Sequence, residues 1–150
     1  MKGYAIDAGA RTIKPVEYQD FTTMLEYCPG GICVGHIFKN GDVLYVDETG
    51  LLRPATVAFR IKKRVDGQPM MSNGFLGGPD APDGESTLDA GMTVAELENE
   101  IEWLTVQQAL GWFRARAHKG AQFIKSGDEP AQVLNTWATY LKILEGGMWR

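Results

Sequence analysis

The sequence predicts an α+β fold: a mostly antiparallel sheet with one early helix, followed by a C-terminal helical extension. Three observations carry this expectation. Short runs of alternating apolar and polar residues, separated by Gly, Pro, Asn and Asp, occupy the chain up to residue 78. An Asn40-Gly41 pair flanked by two apolar runs signals a hairpin. From Met92 onward the apolar spacing becomes helical, with capping boxes at Thr93/Glu96 and Thr105/Gln108. Strands in one block and helices in another exclude a regular βαβ alternation.

Residues 4–6 and 12–16 read as strands joined by a Gly-containing turn, with Pro15 suited to a sheet edge. Asp20 is placed to cap a short helix whose Phe21, Met24, Leu25 and Cys28 share a face; Pro29, Gly30 and Gly31 stop it. A two-residue turn at Asn40-Gly41 sets Lys39 opposite Asp42, and so pairs Phe38 with Val43, Ile37 with Leu44, His36 with Tyr45 and Gly35 with Val46. In that register Cys33 and His36 lie on opposite faces. A turn at 47–50 leads to a strand in which Val57, Phe59 and Ile61 alternate with Ala58, Arg60 and Lys62, and a last short strand lies within 71–78. The loop at 79–91 is too rich in Pro, Gly and Asp for regular structure.

A helix is expected from Thr93 to Leu104, with Val94, Leu97, Ile101 and Leu104 on one stripe. A second helix carries Val106, Leu110, Phe113, Ala117, Ala121 and Ile124. After the break at 126–130 a third carries Val133, Leu134, Trp137, Leu141 and Leu144. The division falls near Leu104: an α+β domain over 1–104 and a two-helix extension over 105–150.

Length and composition suit a single folded unit. A chain of 150 residues buries roughly two thirds of its surface on folding, and 44% hydrophobic with 23% charged residues is a globular balance. No apolar run reaches the ~20 residues of a spanning helix, and the N-terminus lacks a signal-peptide core. The expected setting is the cytoplasm, without a membrane partner, and with both cysteines as reduced thiols. The net charge of −4 is unevenly spread. Between Arg64 and Arg114 there is no Lys or Arg, while the interval holds Asp66, Asp80, Asp83, Glu85, Asp89, Glu96, Glu98, Glu100 and Glu102. A basic stretch, Arg53, Arg60, Lys62, Lys63 and Arg64, precedes it. Charged faces of both signs follow as an expectation.

The segments NGDVLYVDETGLL, NGFLGGPDAPDGES and MTVAELENEIEWL together resemble a domain family of unknown function that is widespread in bacteriophages and integrated mobile elements. The resemblance spans roughly residues 4–104 and rests on the hairpin, the Gly74–Gly78 segment with its acidic loop, and the closing helix. It implies a setting, an accessory protein of a phage or mobile element acting inside a bacterium, and carries no catalytic set.

Several candidate sites compete. Cys28-Pro-Gly-Gly-Ile-Cys33 holds both cysteines, but a zinc site needs about four ligands and only His36 is near; a thioredoxin-like motif has two intervening residues. The segment reads as a helix stop and a strand start, and no metal or cofactor is expected. His36 with Tyr45 has acid–base character. Gly74, Gly77 and Gly78, with Arg60, offer a small-ligand or nucleotide site, although the acids downstream repel anions. The basic run at 60–64 invites direct nucleic-acid contact or serves to guard a sheet edge. Glu96, Glu98, Glu100 and Glu102, with Asp80, Asp83 and Glu85, form an extended negative surface that can imitate nucleic-acid phosphate before a basic groove of a bacterial host protein. All 4 tryptophans lie in the last third, so Trp112 or Trp149 is a candidate aromatic contact, either with a partner or in self-association through the C-terminal helices. The expected function is therefore a non-enzymatic accessory protein of phage or mobile-element type that binds a bacterial macromolecule, a host defence or nucleic-acid enzyme, the alternatives being a nucleotide binder or a small enzyme using His36 and Tyr45.

Overall fold

Why each run of residues adopts its element is clearest from the pairing. The computed structural model describes residues 1–126 and 131–146. In chain order it contains β1 (Lys2–Asp7), β2 (Thr12–Glu17), α1 (Phe21–Met24), β3 (Ile32–Ile37), β4 (Val43–Asp47), β5 (Ala58–Ile61), β6 (Gly74–Gly77), α2 (Val94–Glu100), β7 (Ile101–Leu104), α3 (Val106–Ser126) and α4 (Ala131–Leu144). Five strands form one sheet in the order β2-β1-β6-β4-β3, and β5 and β7 form a second. Every pairing is antiparallel. The α+β class with a mostly antiparallel sheet is thus what the chain adopts.

Alternation along the strands assigns the layers. The inner face of the large sheet carries Ile6, Leu44, Val46 and Leu76, which pack against Phe59 and Ile61 of β5, Ile101 of β7 and Leu97 of α2. The outer face carries Ala5, Val43, Tyr45 and Phe75, covered by Tyr18 and by Met24 of α1. On the far side of the β5–β7 ribbon, Ala58 and Leu104 meet Ala109, Leu110 and Phe113 of α3 and Leu144 of α4. The helical third therefore packs on the small sheet rather than on the large one.

Three expectations are corrected. First, the hairpin at Asn40-Gly41 has a three-residue loop. The Phe38 N–H bonds the Asp42 carbonyl and the Gly41 N–H bonds the Phe38 carbonyl, and of the two turn residues only Gly41 has positive φ, +94°. This is a type I turn closed by a glycine bulge, which a type I′ turn would replace only if Asn40 were left-handed too. The register moves accordingly: Ile37 faces Val43, His36 faces Leu44, Val34 faces Tyr45 and Cys33 faces Val46, with a bulge at Gly35. The extra residue puts Cys33 and His36 on the same face.

Second, the helix from Thr93 ends at Glu100, because Ile101 turns extended (φ −99°, ψ 135°) and Ile101–Leu104 pairs with Ile61–Ala58. The β-branched and aromatic IEWL satisfies both periods, and pairing with β5 decides. Third, the loop at 79–91 contains a small hairpin: Asp80 bridges Thr87, and the Leu88 and Ala81 N–H groups bond the Pro79 and Ser86 carbonyls at 2.8 Å each.

Glycine fills the centre of the large sheet for steric reasons. A β-carbon on Gly74 would lie 3.1 Å from Leu44 and 3.2 Å from Phe59; one on Gly78 would collide with the Leu88 and Asp89 carbonyls. Backbone cannot retreat as a flexible side chain can. Gly78→Ala should therefore cost ~2–3 kcal/mol. Gly111, inside α3 with nothing within 4 Å, should instead gain about 0.5–1 kcal/mol on changing to Ala. Urea unfolding of the two variants checks both signs.

Candidate functional site

The basic and acidic stretches that stand apart in the sequence meet in space. Pairing of β5 with β7 sets Arg60 opposite Glu102, and the Arg60 Nε donates to Glu102 Oε2 at 2.7 Å. Lys63 Nζ reaches Glu100 Oε1 at 3.2 Å. Arg64 bonds Asp66 at 2.7 Å and caps the Gly35 carbonyl at the β3 bulge. Of the basic run at 60–64 only Lys62 lacks an ion pair among the described residues. The basic run is therefore largely neutralised by its own chain.

The same pairing corrects the acidic surface. Glu102 is a strand residue, and Glu100 and Glu102 are neutralised. Glu96 closes the capping box, accepting from the Thr93 N–H while the Thr93 hydroxyl accepts from its own N–H. Glu96, which keeps its charge in the box, and Glu98 remain exposed. Asp80, Asp83 and Glu85 stay in solvent in the small hairpin. Hydrogen bonds from the Glu85 N–H, then from the Ser86 hydroxyl and N–H, hold the Asp83 carboxyl below its usual range, so it carries full charge at neutral pH.

Cys28-Pro-Gly-Gly-Ile-Cys33 serves a buried carboxylate. Asp47 is 5% exposed, and it accepts the Gly30 N–H at 3.0 Å, the Thr49 N–H at 2.8 Å and the Thr49 hydroxyl at 2.6 Å, with Arg53 at 3.5 Å. Gly30 approaches so closely that a β-carbon would strike Thr49 and Asp47. Burial opposes ionisation of Asp47, but the Thr49 hydroxyl, the two N–H groups and Arg53 outweigh it and hold the carboxyl below its usual range. Cys28 is buried and Cys33 exposed, both as free thiols. Burial first, and then the Asp47 charge, push the Cys28 thiol up to about 12. No group of three His, Cys, Asp or Glu able to hold a metal is present among the described residues.

His36 and Tyr45 are not brought together. They project from opposite faces of the sheet, His36 edge-on to Phe38 at 4.7 Å and Tyr45 against Phe21 at 5.8 Å. Burial, then the Arg64 guanidinium, holds the His36 imidazole below its usual range. Gly74 and Gly77 are buried in the central strand, and Gly78 follows it against loop backbone; Arg60 lies on the ribbon's opposite face. No phosphate cradle is assembled. Trp112 is half-buried, donating its indole N–H to the Asp66 carbonyl at 3.1 Å and stacking edge-on with Phe113 and Trp137. Trp149 lies outside the described residues.

Sequence reasoning missed one surface. Phe21 and Leu25, placed on one face of the early helix with Met24 and Cys28, are 38% and 42% exposed; Val34 and Ile37 on β3 are 56% and 63% exposed. The cause is the length of α1: only four residues are helical, too few to bury a full stripe. Asp20 and Glu85 line one hollow with Phe21, and the Asp80 charge acts, after burial, to raise the Tyr45 phenol beneath it. No helix among the described residues is long and apolar enough to cross a membrane. Comparison of the chain with protein-family models, curated proteins and solved structures finds no match.

Two outcomes follow. Arg60→Glu or Glu102→Arg alone should each cost up to about 1 kcal/mol in denaturant stability, and the double reversal should recover most of it, because the pair is half-exposed. Asp47→Asn should cost on the order of 2 kcal/mol at neutral pH. The carboxyl is depressed in the folded state, so its contribution is present above the ordinary carboxylate range and disappears as pH falls through the folded-state value. Stability of the Asn variant, measured from about pH 7 to about pH 3, should fall less steeply than that of the parent.

Proposed function

We propose that this chain is a non-enzymatic interaction protein of phage or mobile-element type, acting in the cytoplasm of a bacterial cell. It binds a host macromolecule, a defence or nucleic-acid enzyme being the target class, and modifies its activity. The observation that carries the reading is the selective neutralisation of charge. The cations at Arg60, Lys63 and Arg64 are spent on Glu102, Glu100 and Asp66, whereas Asp80, Asp83 and Glu85 project into solvent on a backbone braced by its own hydrogen bonds. A fixed cluster of unpaired carboxylates steers a basic surface toward it and discriminates against other partners.

The nucleotide-binding alternative loses support because its glycines are occupied by packing, and the enzymatic one because His36 and Tyr45 face apart. The acidic surface proposed here is smaller than the sequence suggested: it centres on Asp80, Asp83 and Glu85, with Glu96 and Glu98 as outliers.

The test is affinity capture from bacterial lysate with three versions of the chain. The parent and a Lys62→Glu variant should retain the same macromolecule, with retention falling as salt rises. An Asp80→Lys/Glu85→Lys variant should retain it about tenfold less. Equal retention by the charge-reversed variant, or no retained macromolecule at all, rejects the reading.

A further inference from the structure

The outer face of the large sheet ends in a band of uncovered apolar side chains. Val34 and Ile37 stand on β3, beside Tyr45 and Val43 of β4. Phe21 leans edge-on against Tyr45. Most apolar side chains on this sheet are below 10% exposed, whereas these reach 38–63%, so the band is the place where burial of the outer face stops. Carboxylates gather at its Phe21 end, where Asp20 and Glu85 share a hollow with Phe21 and Asp80 lies close enough to Tyr45 to act on its phenol; at the β3 end the one cation beside Val34, Arg64, is already paired with Asp66. An apolar centre with a charged rim is the anatomy of a protein interface.

We propose, resting on the reading above, that this band docks a basic protein segment with apolar anchors: Phe21, Val34 and Ile37 receive the anchors, and Asp20, Asp80 and Glu85 receive the flanking lysines or arginines. A second copy of this chain is a poor occupant, because the same carboxylates would face one another across the contact. Nucleic acid is a poor occupant because its phosphates meet the same rim. The mode of docking is also constrained. Strand addition needs an uninterrupted edge, but β3 is broken by the bulge at Gly35, and Arg64 takes the Gly35 carbonyl. The segment therefore lies across the side chains of the face instead of extending the ladder.

The experiment uses the full chain and a short fluorescent peptide of alternating leucine and lysine, with oligolysine of equal length as comparator. The leucine–lysine peptide should bind, and Ile37→Asp or Val34→Asp should each weaken it about tenfold. Leu52→Asp, 53% exposed elsewhere, should leave the affinity unchanged. Both β3 variants replace exposed side chains, and their thermal melting checks that the fold is kept. Equal affinity for oligolysine, or unchanged affinity in both β3 variants, overturns the proposal even if lysate capture still depends on Asp80 and Glu85. Light scattering that shows a dimer of the parent, dissociated by Ile37→Asp, also overturns it, in favour of a second copy.

Discussion

Two buried carboxylates, one at each end of β4, hold this architecture in register. Asp42 and Asp47 are 1% and 5% exposed, and a charge taken out of water persists only where hydrogen bonds replace its hydration. Asp42 takes the Gly91 and Met92 N–H groups at 2.9 and 2.8 Å, so the hairpin tip fixes where α2 begins. Asp47 takes the Gly30 N–H and the turn at Thr49, so the other end fixes where β3 begins. The start of α2 then dictates the position of β7, since the capped helix leads directly into it. A strand of five residues thereby sets the approach of segments that lie far from it in sequence.

The second sheet accounts for the distribution of surface charge. Cross-strand neighbours of opposite sign stabilise a ribbon modestly, and like charges there destabilise it. Placing the basic run of β5 opposite the acids at the end of α2 and in β7 turns two sequence extremes into a balanced pair. Asp80, Asp83 and Glu85 of the hairpin at 79–88 have no such counterpart among the described residues. Its surplus is local in space even though the whole acidic interval looks continuous in the sequence.

Much of the fold was legible in the residues. The strands of the large sheet, the Asp20 cap of the early helix and the capping boxes at Thr93 and Thr105 follow from local chemistry, and these caps form as expected; the early helix itself ends at Met24, before the expected stop at Pro29. What failed depended on distant partners. Ile101 and Leu104 fit a helical stripe as well as a strand, and only the presence of Ala58–Ile61 alongside decides between them. Asn-Gly supports more than one hairpin, and a shift of one residue separated His36 from Tyr45. The acidic site was half legible: Asp80, Asp83 and Glu85 are where composition puts them, but no local pattern announces that Arg60 and Lys63 would claim Glu102 and Glu100. The exposed Phe21 was hidden for the opposite reason, because an apolar residue on a helix face reads as core until the helix proves too short to cover it.

The ribbon of β5 and β7 also orders events during synthesis. Phe59 and Ile61 emerge from the ribosome long before Ile101 and Trp103, the residues that face them, and such distant pairings close late because the intervening chain must first be gathered. Phe59 finds an earlier partner in Met70, whose backbone bonds it in both directions, but the Lys and Arg of the following run await their glutamates until β7 arrives, and unpaired charge on an open strand edge disfavours edge-to-edge association. The cations that end as ion-pair partners thus stand, until the ribbon closes, as unmatched charge on an open edge.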